Sequence, residues 1–282
     1  MSEKQPHILM CPPDFYGIEY EINPWMDRRK PADQGTAVQQ WTALRGILEQ
    51  TGAKISLEPP VEGLPDMVFT ANAALIYRDR AVIARFRHAE RQGEEMHAEA
   101  WFAENGFHIQ PSPDQISFEG AGDALFCGDT LFAGYRMRSD AKGHQEIAEA
   151  LGTHVIAVEL VDEHYYHLDT CFCPLLPGLA IYFPEAFDPY GLKVIRERVE
   201  ELIAVEPDEA SRFACNAVVI GQTVVTNTGC PRLHQALKKR GFAPLETPLD
   251  EFVKAGGSAK CLTLRLDGEE AAGWRTSVEK TG

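Results

Sequence analysis

Apolar residues in this chain fall in short runs that come in pairs, and the pairs return at a regular interval. Five segments share a polar or reactive opening followed by apolar strand. They are NAALIYRDRAVIARF from Asn72, GDALFCGDTLFAGY from Gly122, DTCFCPLLPGLAIYF from Asp169, CNAVVIGQTVVTN from Cys215 and CLTLRL from Cys261. Counted through Asn72, Asp123, Asp169, Asn216 and Cys261, the steps are 51, 46, 47 and 45 residues. Four of the segments continue through a turn into a second strand, so each predicts a hairpin. Between the hairpins the period changes to that of a helix. Val38, Trp41, Leu44 and Leu48 share one helical stripe over residues 36–50, closed by Gly52. Further helices are expected at about 90–105, 142–151, 190–203 and 231–240. Leu192, Ile195, Val199, Leu202 and Ile203 form the apolar face of the fourth, and Pro231 and Gly241 frame the fifth. A short turn over 248–254 has Thr247 as its N-cap, with Asp250 three residues on. Gly52, Gly106, Gly152 and Gly241 each end a helical stretch and precede a strand-like run: AKISL, FHIQP, THVIAV and FAPLE. The last gap in that series is 89 residues, close to two periods.

The unit therefore reads as two strands, a helix and another strand. A repeat of this length belongs either to a ring around an axis or to a solenoid. The strand at 8–11 is expected to pair with the last unit and close a ring. In a closed ring the polar openings of successive units converge on one spot, which makes that spot the place to look for chemistry.

Length and composition narrow the picture. A length of 282 residues leans toward two domains, but no linker rich in Pro, Gly or Ser divides the chain. One catalytic domain over 1–268 is expected, with 269–282 as a charged, Gly-bearing flexible tail. A net charge of -15 argues against nucleic acid or anionic membrane as partner and is compatible with a small cationic substrate. No apolar run approaches the roughly 18 residues of a membrane span, and MSEKQPHILM lacks the features of a signal peptide. Seven cysteines, an odd number without dense spacing, point to reduced thiols and a cytoplasmic location. The sequence fits a homo-oligomer as well as a monomer.

Several residues carry candidate chemistry. Cys261 follows the Ala255-Gly256-Gly257-Ser258 stretch at the start of a strand-like run, where a thiol is presented at the strand mouth. The plainer reading is a buried structural cysteine. His167 and Asp169, in YYHLDTCF, alternate onto one face of an extended segment and together suit proton transfer beside a cation. A satisfied histidine at a strand end is the plainer alternative. Cys171 and Cys173 lack a CxxC partner pair, so a metal site is not expected. Glu119 and Asp123 are exposed by Gly120 and Gly122, and Asn72 opens the first repeat after Asp66. Of Arg85, Arg87, Arg91, Arg136 and Arg138, one or two can clamp a carboxylate bidentately. Each residue alone has a structural explanation; the shared repeat position joins them into a pocket suited to a planar cation such as a guanidinium.

These motifs resemble the guanidine-modifying superfamily, which comprises arginine deiminases, dimethylarginine dimethylaminohydrolases and amidinotransferases. INPWM, PDMVFTANAAL, ERQGEE, FEGAGDAL, YHLDTCFCPL, FACN and KAGGSAKCLTLR carry the likeness over roughly residues 8–266. Within the group the chain is most similar to bacterial arginine dihydrolases, which convert arginine to ornithine, carbon dioxide and two ammonia. The resemblance implies an α/β fold, a five-bladed α/β propeller (pentein) of pseudo-symmetric ββαβ repeats. It implies a hydrolase acting on a small guanidino substrate, arginine or a methylated arginine, with no metal or organic cofactor. It implies Cys261 as nucleophile and His167 as general acid/base. Glu119 would hold His167 or substrate nitrogens, and Asp169 would grip the guanidinium. Arg91 and Arg138 would clamp the α-carboxylate, with Asn23 and the Ala255 backbone near the amino-acid end and Asp123 one layer behind. The departure is Asn72, where arginine deiminases have aspartate; an amide there can donate to a ureido oxygen and retain it for a second attack. Deiminase and dimethylargininase activities remain the near alternatives, an amidinotransferase or a non-catalytic binding propeller the remoter ones.

Overall fold

The computed structural model describes residues 5–110 and 116–268. Among these, fifteen strands form five three-stranded sheets. β1 (His7–Met10) and β2 (Lys54–Leu57) open the chain. The next sheet holds β3 (Ala74–Tyr77), β4 (Arg80–Ile83) and β5 (His108–Gln110). After it come β6 (Ala124–Cys127), β7 (Thr130–Tyr135) and β8 (His154–Glu159). The fourth is β9 (Phe172–Leu176), β10 (Leu179–Tyr182) and β11 (Glu201–Ala204). The fifth is β12 (Val218–Ile220), β13 (Thr223–Asn227) and β14 (Ala243–Thr247). β15 (Leu264–Arg265) returns to the first sheet.

Every sheet has the same logic. In four of them an antiparallel hairpin comes first, and its second strand takes a parallel third strand after a helical crossover; in the first sheet β1 takes β2 the same way. The crossover helices are Gln34–Gln50, Glu94–Glu104, Ala141–Leu151, Pro189–Arg198 and Pro231–Lys238. The expected closure occurs: β1 pairs antiparallel with β15, Ile8 opposite Arg265 and Leu9 opposite Leu264. The termini of the described chain thus build one blade of an α/β propeller. First strands lie innermost; β6, β9 and β12, with Thr263 and Arg265, line a cavity of about 40 Å³ on the axis. Third strands lie outermost, as the half-exposed pattern of β2 and β14 shows. No helix among the described residues is long and apolar enough to cross a membrane.

Three local expectations need correction. The fourth helix stops at Arg198, and Leu202 and Ile203 belong to β11 instead of the helix face. Its end is an extended Val199, not a left-handed glycine, which is why one glycine marker is missing from the series. The helix expected at 90–105 is interrupted at Gly93, leaving Ala89–Gln92 and Glu94–Glu104. The turn expected at 248–254 begins later, with Leu249 in the cap position of Asp250–Val253, not Thr247. The tail at 269–282 lies outside the described residues.

Candidate active site

The polar openings are not strand mouths. Thr70–Asn72, Gly120–Asp123 and Leu168–Thr170 are single helical turns placed just before β3, β6 and β9. His167 is extended, but Leu168–Thr170 turns immediately after it, so strict alternation is not what brings His167 and Asp169 together. Cys261 also precedes its strand, by three residues. A tight turn aims its side chains and N–H groups at the axis, where a strand would alternate them away.

Hydrogen bonds run from unit to unit around the hub. Ala71 N donates to Cys261 O at 3.1 Å, and Lys260 N to Asn216 O at 3.2 Å. Asn216 Nδ2 donates to Asp169 O at 3.0 Å, and Leu168 N to Asp123 Oδ1 at 3.0 Å. Arg85 and Phe118 exchange two backbone bonds of 2.7 and 2.9 Å, completing the circuit. Asp123 also accepts from Ser139 Oγ at 2.6 Å, so its oxygens anchor the frame that carries His167.

Within this circuit the sulfur of Cys261 is held on two sides. Its S–H donates to Asp169 Oδ2 at 3.3 Å, and Asn216 Nδ2 donates to the sulfur at 3.1 Å. Asn216 Oδ1 accepts from Cys261 N at 3.1 Å, fixing the amide's orientation. Burial, and after it the Asp169 charge, push the thiol well above its ordinary range, so it rests protonated.

His167 Nε2 lies 2.7 Å from Glu119 Oε2. A carboxylate only accepts, so Nε2 carries the proton and Nδ1 keeps its lone pair. Burial lowers His167 to about 4, against the raising pull of Glu119, so the ring is neutral at pH 7. Burial alone would raise Glu119, but Arg138 at 3.0 Å and the His167 hydrogen bond outweigh it and hold that carboxyl well below its usual range. Both residues are essentially inaccessible.

Asn72 sits between a cation and a neutral imidazole. Its Oδ1 accepts from Arg91 Nη1 at 2.9 Å, and its Nδ2 lies 3.5 Å from His167 Nδ1. Gly122 makes room for it: a Cβ added there would stand 2.2 Å from Asn72 Nδ2. Arg91 is gripped by Glu94 through two bonds of 2.8 Å and lies 4.4 Å over the Phe86 ring.

The five arginines separate cleanly. Arg85, Arg87 and Arg136 are partly exposed and paired with Glu95, Asp140 and Glu159. Arg91 and Arg138 are 3% exposed and face the hub. Arg138 stacks 4.5 Å over Tyr166, whose hydroxyl donates to Gly256 O at 2.7 Å. Asn23 Nδ2 reaches Ala255 O at 3.0 Å across 232 residues of sequence. Gly256 has φ +82°, and added Cβ atoms on it and Gly257 would stand 2.6 Å from the Tyr166 hydroxyl and 2.4 Å from Phe69. These glycines let the loop press against two aromatic rings, and so deliver Ala255 and Cys261 to the hub.

All nine candidate residues therefore lie in one connected network. Sequence reasoning noticed Asn216 only as a repeat opening and missed Tyr166, Glu94 and Ser139. Position offered a signal for Asn216, which occupies the slot of Asn72 and Asp169 one unit on; Glu94 looked like one acid among many in ERQGEE.

Comparison with known proteins bears on family and fold. A family model described as N,N dimethylarginine dimethylhydrolase, eukaryotic, matches residues 20–267. The chain is 49% identical over 264 residues to the bifunctional arginine dihydrolase/ornithine cyclodeaminase ArgZ of Synechocystis, covering 92% of this chain but 37% of that protein. It is 39% identical to the N(G),N(G)-dimethylarginine dimethylaminohydrolase of Mycobacterium tuberculosis, covering 91% and 84% of the two chains. It superposes on the substrate-bound N-terminal domain of ArgZ with a TM-score of 0.90 at 48% identity, covering 93% and 98%. The chain thus spans little more than a third of the length of the bifunctional relatives it matches. It is a five-bladed propeller of the guanidine-modifying superfamily, and it belongs to the dimethylarginine dimethylhydrolase family.

Proposed function

We propose that the protein hydrolyses the guanidino carbon of arginine through a covalent intermediate on Cys261 and carries it to ornithine, carbon dioxide and two ammonia. The observation that carries this reading is the protonated Cys261 thiol, hydrogen-bonded to Asp169, in the same closed hub as a neutral His167. The arriving guanidinium offers its N–H groups to Asp169 in place of the S–H donor. The thiol proton passes to His167 Nδ1 as sulfur attacks the guanidino carbon. The imidazolium, braced by Glu119, returns that proton to the departing nitrogen, which leaves as ammonia. A positively charged thiouronium remains on sulfur. Neutral His167 then deprotonates a water that adds to the carbon, the C–S bond breaks, and a ureido group forms.

The second round uses the same parts. Sulfur adds to the ureido carbon, the second ammonia leaves, and water releases a carbamate that loses carbon dioxide. Retention of the ureido intermediate falls to Asn72, whose NH2 can donate to the new oxygen where an aspartate could not. Arg138 takes the α-carboxylate, with Asn23 and the Ala255 carbonyl at the amino end. Arg91 adds to that clamp less, because four of its five N–H groups are engaged by Glu94, Asn72 and the Asp66 carbonyl. ArgZ supports the reading, being described as an arginine dihydrolase and known with a covalently bound reaction intermediate in an Asn→Ser variant. The second reading is a dimethylargininase, favoured by the family model and the M. tuberculosis relative.

Mass spectrometry of the amino-acid products from arginine and from dimethylarginine separates them. The proposal expects ornithine with two ammonia per arginine; citrulline with one ammonia means a deiminase, and dimethylamine means the second reading. Asn72→Asp should release citrulline. Ornithine from that variant without any build-up of citrulline would contradict the role given to the amide.

A further inference from the structure

Arg91 and Glu94 form a buried unit whose geometry reaches past binding. The Glu94 carboxylate holds Arg91 Nε and Nη2 at 2.8 Å each, in the two-point arrangement that fixes a guanidinium plane. Arg91 Nη2 also reaches Asp66 O at 3.2 Å, and Nη1 lies 2.9 Å from one terminal atom of Asn72. A guanidinium has donors and no acceptor, so the Asn72 atom facing it must be the oxygen. The NH2 of Asn72 is thereby turned the other way, to 3.5 Å from His167 Nδ1, into the slot that Gly122 leaves open. Arg91 thus decides which end of the amide faces the reacting group. The Asp66 carboxylate, 3.9 Å from Arg91 Nε, cannot replace the fork.

We propose that Glu94 is a positioning residue that, through Arg91, keeps the Asn72 NH2 aimed at the reaction centre, and so sets how much ureido intermediate goes on to ornithine. This rests on the dihydrolase reading above. Without the fork the Arg91 plane can rotate, the amide can flip, and an oxygen then meets the ureido oxygen in place of a donor. The intermediate leaves as citrulline.

The test measures products, kcat and KM for Glu94→Gln, Glu94→Asp and Asn72→Ala, and for Asn72→Ala combined with each Glu94 change. Glu94→Gln should raise the citrulline share about tenfold, the effect of losing one oriented hydrogen bond, with Glu94→Asp in between. In the Asn72→Ala background the Glu94 changes should add nothing to the loss of kcat. A rise in KM with an unchanged product ratio would mean that Glu94 only supports substrate grip, and would overturn the proposal. So would multiplicative kcat losses in the double variants. If the unaltered protein makes only citrulline, the dihydrolase reading falls, while the double variants still decide whether Glu94 acts through Asn72. Should Glu94→Gln fail to fold, Glu94→Asp, alone and with Asn72→Ala, gives the same comparison.

Discussion

Burial does most of the electrostatic work in this protein, and it works differently on each residue. Glu119 is buried with a cation and a histidine proton donor, so it stays ionised. Glu58 is buried without them; its Oε1 has no hydrogen-bond partner, and burial followed by the Glu94 charge raises it to about 8. The sign of the consequence follows. Between about 4.5 and 8 the unfolded chain has lost the Glu58 proton and the folded chain keeps it, so this group lowers stability as pH rises through that window. Glu58→Gln removes the titration. Thermal unfolding of both proteins from pH 4.5 to 8 should show the variant gaining on the parent by on the order of a few kcal/mol. A pH-independent gap would mean that Glu58 is solvated or paired in solution. Nothing in the sequence marks Glu58, since an acid directly before Pro59-Pro60 reads as surface.

The elements that matter most to the site are the shortest ones. Turns of three or four residues carry Asn72, Asp123 and Asp169, and glycines rather than apolar periodicity make them fit. Hence the sequence exposed the hairpins, which have strong apolar alternation, and showed the polar residues as openings without revealing that they sit on turns. The same limit explains β11: Leu202 and Ile203 continue the spacing of Leu192, Ile195 and Val199, so a short strand read as the end of a helix. Gly122 tests the turn argument. Its φ is ordinary, so Gly122→Ala meets no backbone strain, only the contact with Asn72 Nδ2. It should cost activity about a hundredfold with the fold intact. Gly152→Ala makes the contrast: φ is +67° with open space around it, so it should cost about 1 kcal/mol of stability and leave turnover unchanged. Equal activity in the two variants would remove the steric account of the Asn72 slot.

At the scale of the whole molecule, the site exists because the ring closes. Cys261 comes from the last unit and His167 from the third. They share a hub because β15 pairs with β1, and because Asn216 holds both Cys261 and the Asp169 carbonyl. Period and closure were legible in the sequence, because 46-residue spacing and a lone N-terminal strand leave a ring few alternatives. The pairing of Tyr166 with Gly256 was not, because such a contact depends on how neighbouring blades meet; that of Glu94 with Arg91 is local, but the break at Gly93 between their helices hid it. The most direct test is to quench the protein with acid during turnover of arginine and map the modified peptide by mass spectrometry. The account predicts a substrate-derived adduct on the peptide carrying Cys261, absent in Cys261→Ser together with turnover. An adduct on any of the other six cysteines, or turnover that survives Cys261→Ser, would contradict it.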